Sequence, residues 1–171
     1  KTKVRFANDL VSRVKILNKD GHTDVNIDTF LALGKKKLNS EQVVRINELE
    51  HSISRGNVKE QQLQVYQQLA KFWYDSANAF EPYAWYTGEA ARLENSEKSL
   101  TFAAPLLLDT LPQEGDEPLR RWKAIQAKDL FERSLILNPK NDSARVGLGA
   151  CYLFGSISAM PMVGIRQIRE V

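Results

Sequence analysis

The chain has 171 residues, 43% of them hydrophobic and 26% charged. Those proportions are globular and exclude wholesale disorder. A net charge of +3 is too small to argue for nucleic acid, and a lone cysteine, Cys151, excludes an internal disulfide. The chain has no run of about 18 apolar residues, the length a membrane-spanning helix needs.

Residues 1–60 carry 12 Lys/Arg against 8 Asp/Glu, and residues 61–171 carry 12 against 13. The excess positive charge therefore sits in the N-terminal third. The chain opens on Lys1 and stops on Val171 within a helical pattern. A piece of a longer protein is expected, with any signal or anchor lying upstream.

Residues 1–26 are read as an N-terminal helical and linker segment. Phe6, Leu10, Val14 and Leu17 recur at helical spacing, although Lys3-Val4-Arg5-Phe6 alternates. Asn18-Lys19-Asp20-Gly21-His22 reads as a turn or linker.

Residues 27–59 suggest a pair of helices. Phe30, Leu33 and Gly34 fit the first. Asn39-Ser40-x-Gln42 offers a capped start for the second. Val43, Ile46, Leu49 and Ile53 give it an apolar stripe, and Gly56-Asn57 ends it. The pair is either a degenerate repeat or a plain hairpin that caps the helices after residue 60.

From residue 60 onward a period emerges. Tyr66, Ala70 and Trp73 are matched 34 residues later by Leu100, Ala104 and Leu107. Arg145, Gly149 and Tyr152 repeat the spacing after a further 45 residues. The excess falls on Leu111–Pro118, a loop rich in turn-forming and acidic residues. Between these helices, Ala84, Gly88 and Ala91 place small residues at helical spacing, and Ala127, Phe131 and Ser134 put a small, a large apolar and a small residue on one face at the same spacing. Gly164, Ile168 and Val171 do so again after a loop at Phe154–Pro161. Asn138-Pro139 stops one helix, since proline lacks an N–H and restrains its predecessor. Asn141-Asp142-Ser143 can cap the next. Gly149 should let a neighbouring helix approach closely, and Pro105 should disturb its own helix unless it lies near a turn.

This pattern resembles tetratricopeptide repeats of bacterial type, best at residues 127–152. The resemblance covers 60–171, about three repeats with the last cut short, and extends to 27–171 if the earlier pair counts. It implies an all-α fold, a right-handed solenoid of antiparallel helical hairpins, whose first helices line a concave groove. The groove positions it implies are Gln64, Gln67, Lys71 and Tyr74, then Lys98, Thr101, Pro105 and Leu108, then Ser143, Val146, Ala150 and Leu153. The residues singled out for partner binding are Gln64, Gln67, Lys71, Tyr74, Lys98, Thr101 and Val146. The set lacks the Lys/Asn clamp with which some members grip a C-terminal carboxylate.

Catalytic and metal constellations find little support. His22, His51 and Cys151 do not show the spacing of zinc ligands. Cys151 is expected in buried packing rather than as a nucleophile. Glu94, Glu97, Glu114, Asp116 and Glu117 are expected in polar turns, with ordinary acidity. Gly147-x-Gly149 lacks the strand and third glycine of a phosphate loop. Lys35-Lys36-Lys37 reads as a solvated helix end, and Trp73 as interhelical core, leaving Tyr74 and Tyr83 as the exposed rings.

The expected function is therefore a non-enzymatic interaction module that holds another protein or peptide, with no cofactor and no metal. The alternative is an accessory or substrate-binding domain of a bacterial envelope enzyme or transport assembly. A nucleic-acid binder using Lys35–Lys37 with Tyr74 and Tyr83 ranks below both. No compartment is fixed; the envelope, on its periplasmic side with an anchor upstream, is favoured slightly over the cytoplasm.

Overall fold

The computed structural model describes residues 16, 17, 23–55, 58–157, 162, 165 and 166. These are all-helical apart from a two-residue antiparallel pairing of β1 (Ile16–Leu17) with β2 (Thr23–Asp24). Ile16 faces Asp24 and Leu17 faces Thr23. This corrects the expected helix at its C-terminal end. Helical spacing competes there with a local partner strand, and the strand pairing wins. Phe6, Leu10 and Val14, and the expected turn at 18–22, lie outside the described residues, as do Gly56-Asn57 and the last small-residue series at Gly164, Ile168 and Val171.

The chain divides into two compact units, one of residues 26–95 and one of residues 1–25 with 96–171. In the first unit the helices are α1 (Ile27–Lys35), α2 (Ser40–Arg55), α3 (Lys59–Lys71) and α4 (Phe80–Glu94). Asn26 caps α1, its side chain accepting from the Asp28 N–H at 3.1 Å. The expected cap of α2 is a reciprocal box. Asn39 accepts from the Gln42 N–H at 2.9 Å, and Gln42 accepts from the Asn39 N–H at 3.0 Å. The Gln42 amide also donates to the Ser76 carbonyl at 3.0 Å, tying the start of α2 to the chain just beyond α3. Helix α2 packs on α3, α3 on α4, and α1 on α4. Ile46, Leu69, Ala70, Phe72, Trp73 and Tyr86 form the buried core between them.

In the second unit the helices are α5 (Glu97–Leu108), α6 (Glu117–Leu137) and α7 (Asp142–Phe154). Each starts on a side-chain cap: Ser96 accepts from Ser99, Asp116 from Leu119 and Asn141 from Ala144. Helix α6 ends at Asn138-Pro139 as the sequence requires. All three pairs pack together, α5 with α6, α6 with α7 and α5 with α7. Leu100, Ala104, Leu107, Ala127, Leu130 and Phe131 are buried in this core. Helix α5 continues through Pro105 to Leu108, so the proline falls in the last turn, and the expected disturbance does not end the helix.

Candidate partner-binding face

Helix α3 presents two opposed faces. Leu69, Ala70 and Trp73 turn into the core, which leaves Gln64, Gln67, Lys71 and Tyr74 exposed along the other side. Tyr74 stands beyond the α-helix proper, in a single π-helical turn at Phe72–Ser76. That turn closes with the Ala77 N–H on the Phe72 carbonyl at 3.2 Å and the Ala79 N–H on the Trp73 carbonyl at 2.9 Å. Asn78 takes the left-handed conformation, φ 49°, that reverses the chain. One-turn π segments are frequent at functional sites.

The reversal brings Tyr74 against the start of α4. Its ring lies 4.9 Å from that of Tyr83, tilted by 49°, and Phe80 meets Tyr83 edge-on at 6.3 Å. Tyr74 remains 61% exposed, and Tyr83 is half-buried. Trp73 is fully buried instead, and its indole N–H finds no acceptor among the described residues. Further along α4, the Arg92 guanidinium sits 5.6 Å over the Trp85 ring. Tyr86 is buried, and its phenol is pushed well above the ordinary range, first by burial and then by the charge of Glu50.

Lys98, Thr101 and Val146 belong to the other compact unit. Lys98 and Val146 are exposed there. Thr101 has a different role. Its hydroxyl lies 3.1 Å from that of Ser134 and accepts from the Asn141 amide at 3.2 Å. Asn141 and Asn138 both donate to Glu97, at 2.7 and 2.8 Å. This half-buried polar cluster ties α5 to the α6–α7 junction, so Thr101 is engaged in structure.

Of the acidic residues expected in polar turns, Glu94 and Glu117 are exposed at helix ends, and the other three are engaged with neighbouring groups. Glu97 accepts from the Asn138 and Asn141 amides, and Asp116 caps α6. Glu114 is buried and paired with the buried Lys123 at 2.8 Å. Arg120 donates to the Glu114 carbonyl through both Nε and Nη2. The loop before α6 is thereby folded onto that helix. Sequence reasoning missed this pair, although a signal was present: Lys123 lies four residues from both Leu119 and Ala127, on a buried stripe where a cation requires a partner.

Cys151 is buried as expected, and burial pushes its thiol up to about 12. The glycine on which a facing ring rests is Gly147. A Cβ there would lie 2.6 and 2.7 Å from Cε1 and Cε2 of Phe131. Gly34 plays the same part under Trp73, where a Cβ would come 2.6 Å from Cζ3.

Among the described residues no three His, Cys, Asp or Glu side chains converge as a metal site, and no helix is long and apolar enough to cross a membrane. No family model, curated protein or solved structure matches this chain.

Proposed function

We propose that this chain is a non-enzymatic interaction module that holds another polypeptide, built as a right-handed solenoid of helical hairpins of the tetratricopeptide type. The observation that carries the reading is the row of Gln64, Gln67, Lys71 and Tyr74, exposed together along α3 and the π turn after it, while Leu69, Ala70 and Trp73 are buried on the other side. A large aromatic ring kept 61% in water beside half-buried Tyr83 suits an anchor for a partner. The mutual packing of α5, α6 and α7 supports the repeat reading, because a first helix there meets both its own partner helix and the next first helix.

The test is capture from a lysate of the source cells, with the chain and a Lys71→Glu/Tyr74→Ala variant side by side. The reading expects one polypeptide held by the parent and lost by the variant. Equal capture by both, or none by either, would mean that this face holds no partner.

A further inference from the structure

The π turn that presents Tyr74 stands between two hydrogen-bond registers. Its Phe72 carbonyl accepts from the Ala77 N–H, and its Trp73 carbonyl from the Ala79 N–H. An uninterrupted α-helix would give the Trp73 carbonyl to the Ala77 N–H instead. Changing the register by one residue turns the following face by roughly 100°. That rotation would part the Tyr74 ring from Tyr83.

π turns are rare beside α turns. This one also leaves the buried Trp73 indole N–H without an acceptor among the described residues. Such a turn persists where its surroundings hold it. Phe72 and Trp73 anchor its start in the core, but Tyr74, Asp75 and Ser76 are exposed. Among the described residues, one hydrogen bond reaches these three from another helix. Gln42 Nε2, in the first turn of α2, donates to the Ser76 carbonyl at 3.0 Å. The other end of the same amide is already fixed, since Gln42 Oε1 accepts from the Asn39 N–H at 3.0 Å in the cap of α2. The cap thus aims the amide nitrogen at the turn.

Resting on the reading of this face as a partner site, we propose that Gln42 is its positioning residue. Its amide latches the turn in the π register and so keeps Tyr74 against Tyr83 at the end of the exposed row.

Gln42→Glu separates the latch from the cap. A glutamate still accepts from the Asn39 N–H, as in an ordinary capping box, but its carboxylate cannot donate to Ser76. The test is residue-resolved amide hydrogen exchange on the full chain, with the nuclear Overhauser contact between the Tyr74 and Tyr83 rings read alongside. In Gln42→Glu the Ala77 and Ala79 amides should exchange roughly threefold to tenfold faster, the effect of losing one hydrogen bond, and the ring contact should weaken. The Val43 amide, bonded to the Asn39 carbonyl, should stay within about twofold of its parent rate because the cap is kept. Gln42→Ala, which loses cap and latch together, should speed all three amides.

Unchanged exchange at Ala77 and Ala79 in Gln42→Glu, or an unchanged ring contact, overturns the proposal. So does an equal rise at Val43, which would mean that Gln42 acts through the cap alone. In the lysate experiment Gln42→Glu should hold less of the partner than the parent does. If the exchange pattern is as expected and no partner is captured, the interaction reading falls and the latch stands. If a partner that needs Tyr74 is held equally by Gln42→Glu, the latch does not serve this face and the proposal falls.

Discussion

Gly147 is where single-atom detail matters most. Helix α7 buries Ala144, Gly147, Leu148 and Cys151, a stripe at i, i+3, i+4 and i+7, and the Phe131 ring lies on the gap left by the missing Cβ. Phe131 is 2% exposed, so the ring has no free space to retreat into. Gly147→Ala should therefore destabilise the chain by about 1–3 kcal/mol through overpacking, read by chemical denaturation. Adding Phe131→Leu should recover part of the loss. A Gly147→Ala chain as stable as the parent would mean that α6 and α7 do not meet this way. The expected glycine, Gly149, is also buried, but the ring contact lies two residues earlier. Spacing alone did not separate the two, because both fit a small-residue pattern and only the facing ring decides between them.

Cys151 gives a second residue-scale prediction. Its thiol titrates near 12 in the fold instead of its ordinary 9.0, because burial disfavours the thiolate. Between those values the unfolded chain has lost the proton that the folded chain keeps. The associated stability is complete below pH 9 and drains away as pH rises toward 12. The raised phenols of Tyr66 and Tyr86 act in the same direction, starting from their ordinary 10.0. Between pH 9 and 10, melting temperatures of the parent should fall more steeply than those of Cys151→Ala. Parallel curves would show that the thiol is not held protonated.

Among the elements, the boundaries were the most legible part. Asn39-Ser40-x-Gln42, Asn138-Pro139 and Asn141 carry their meaning locally, since caps and breakers act within one turn. The short strand pairing was illegible for the opposite reason: Ile16 and Leu17 depend on a partner six to eight residues away. The loop before α6 was misjudged because composition alone cannot show that Glu114 folds back onto Lys123. Lys123→Met should cost about 3–5 kcal/mol by leaving a buried carboxylate without its cation. Glu114→Leu added to Lys123→Met should restore much of that loss, because an apolar pair of similar volume needs no solvation. Urea denaturation of the two variants reads the difference. If the single substitution is silent, the pair is open to water and the loop is not fastened by it.

Across the described residues, helical spacing and breakers placed five successive helices, α3 to α7, and put Leu100, Ala104 and Leu107 in the core. The row implied by the resemblance, Gln64, Gln67, Lys71 and Tyr74, is exposed, as helical geometry allows for positions that oppose Ala70 and Trp73. Spacing could not tell that Thr101 would be consumed by Ser134 and Asn141, which approach from other helices. Nor did it reveal the π turn that sets Tyr74 against Tyr83. The function proposed for the molecule depends on that turn, since it places the exposed ring at the end of the exposed polar row.

The decisive measurement is site-specific photocrosslinking inside the source cells. A photoreactive phenylalanine would replace Tyr74 in one chain and exposed Arg133, on α6 of the other unit, in a control. A discrete polypeptide adduct is expected from position 74, abolished by adding Lys71→Glu, and none from position 133. Equal labelling from both positions, or an adduct at 74 indifferent to Lys71, would contradict a partner held on this face.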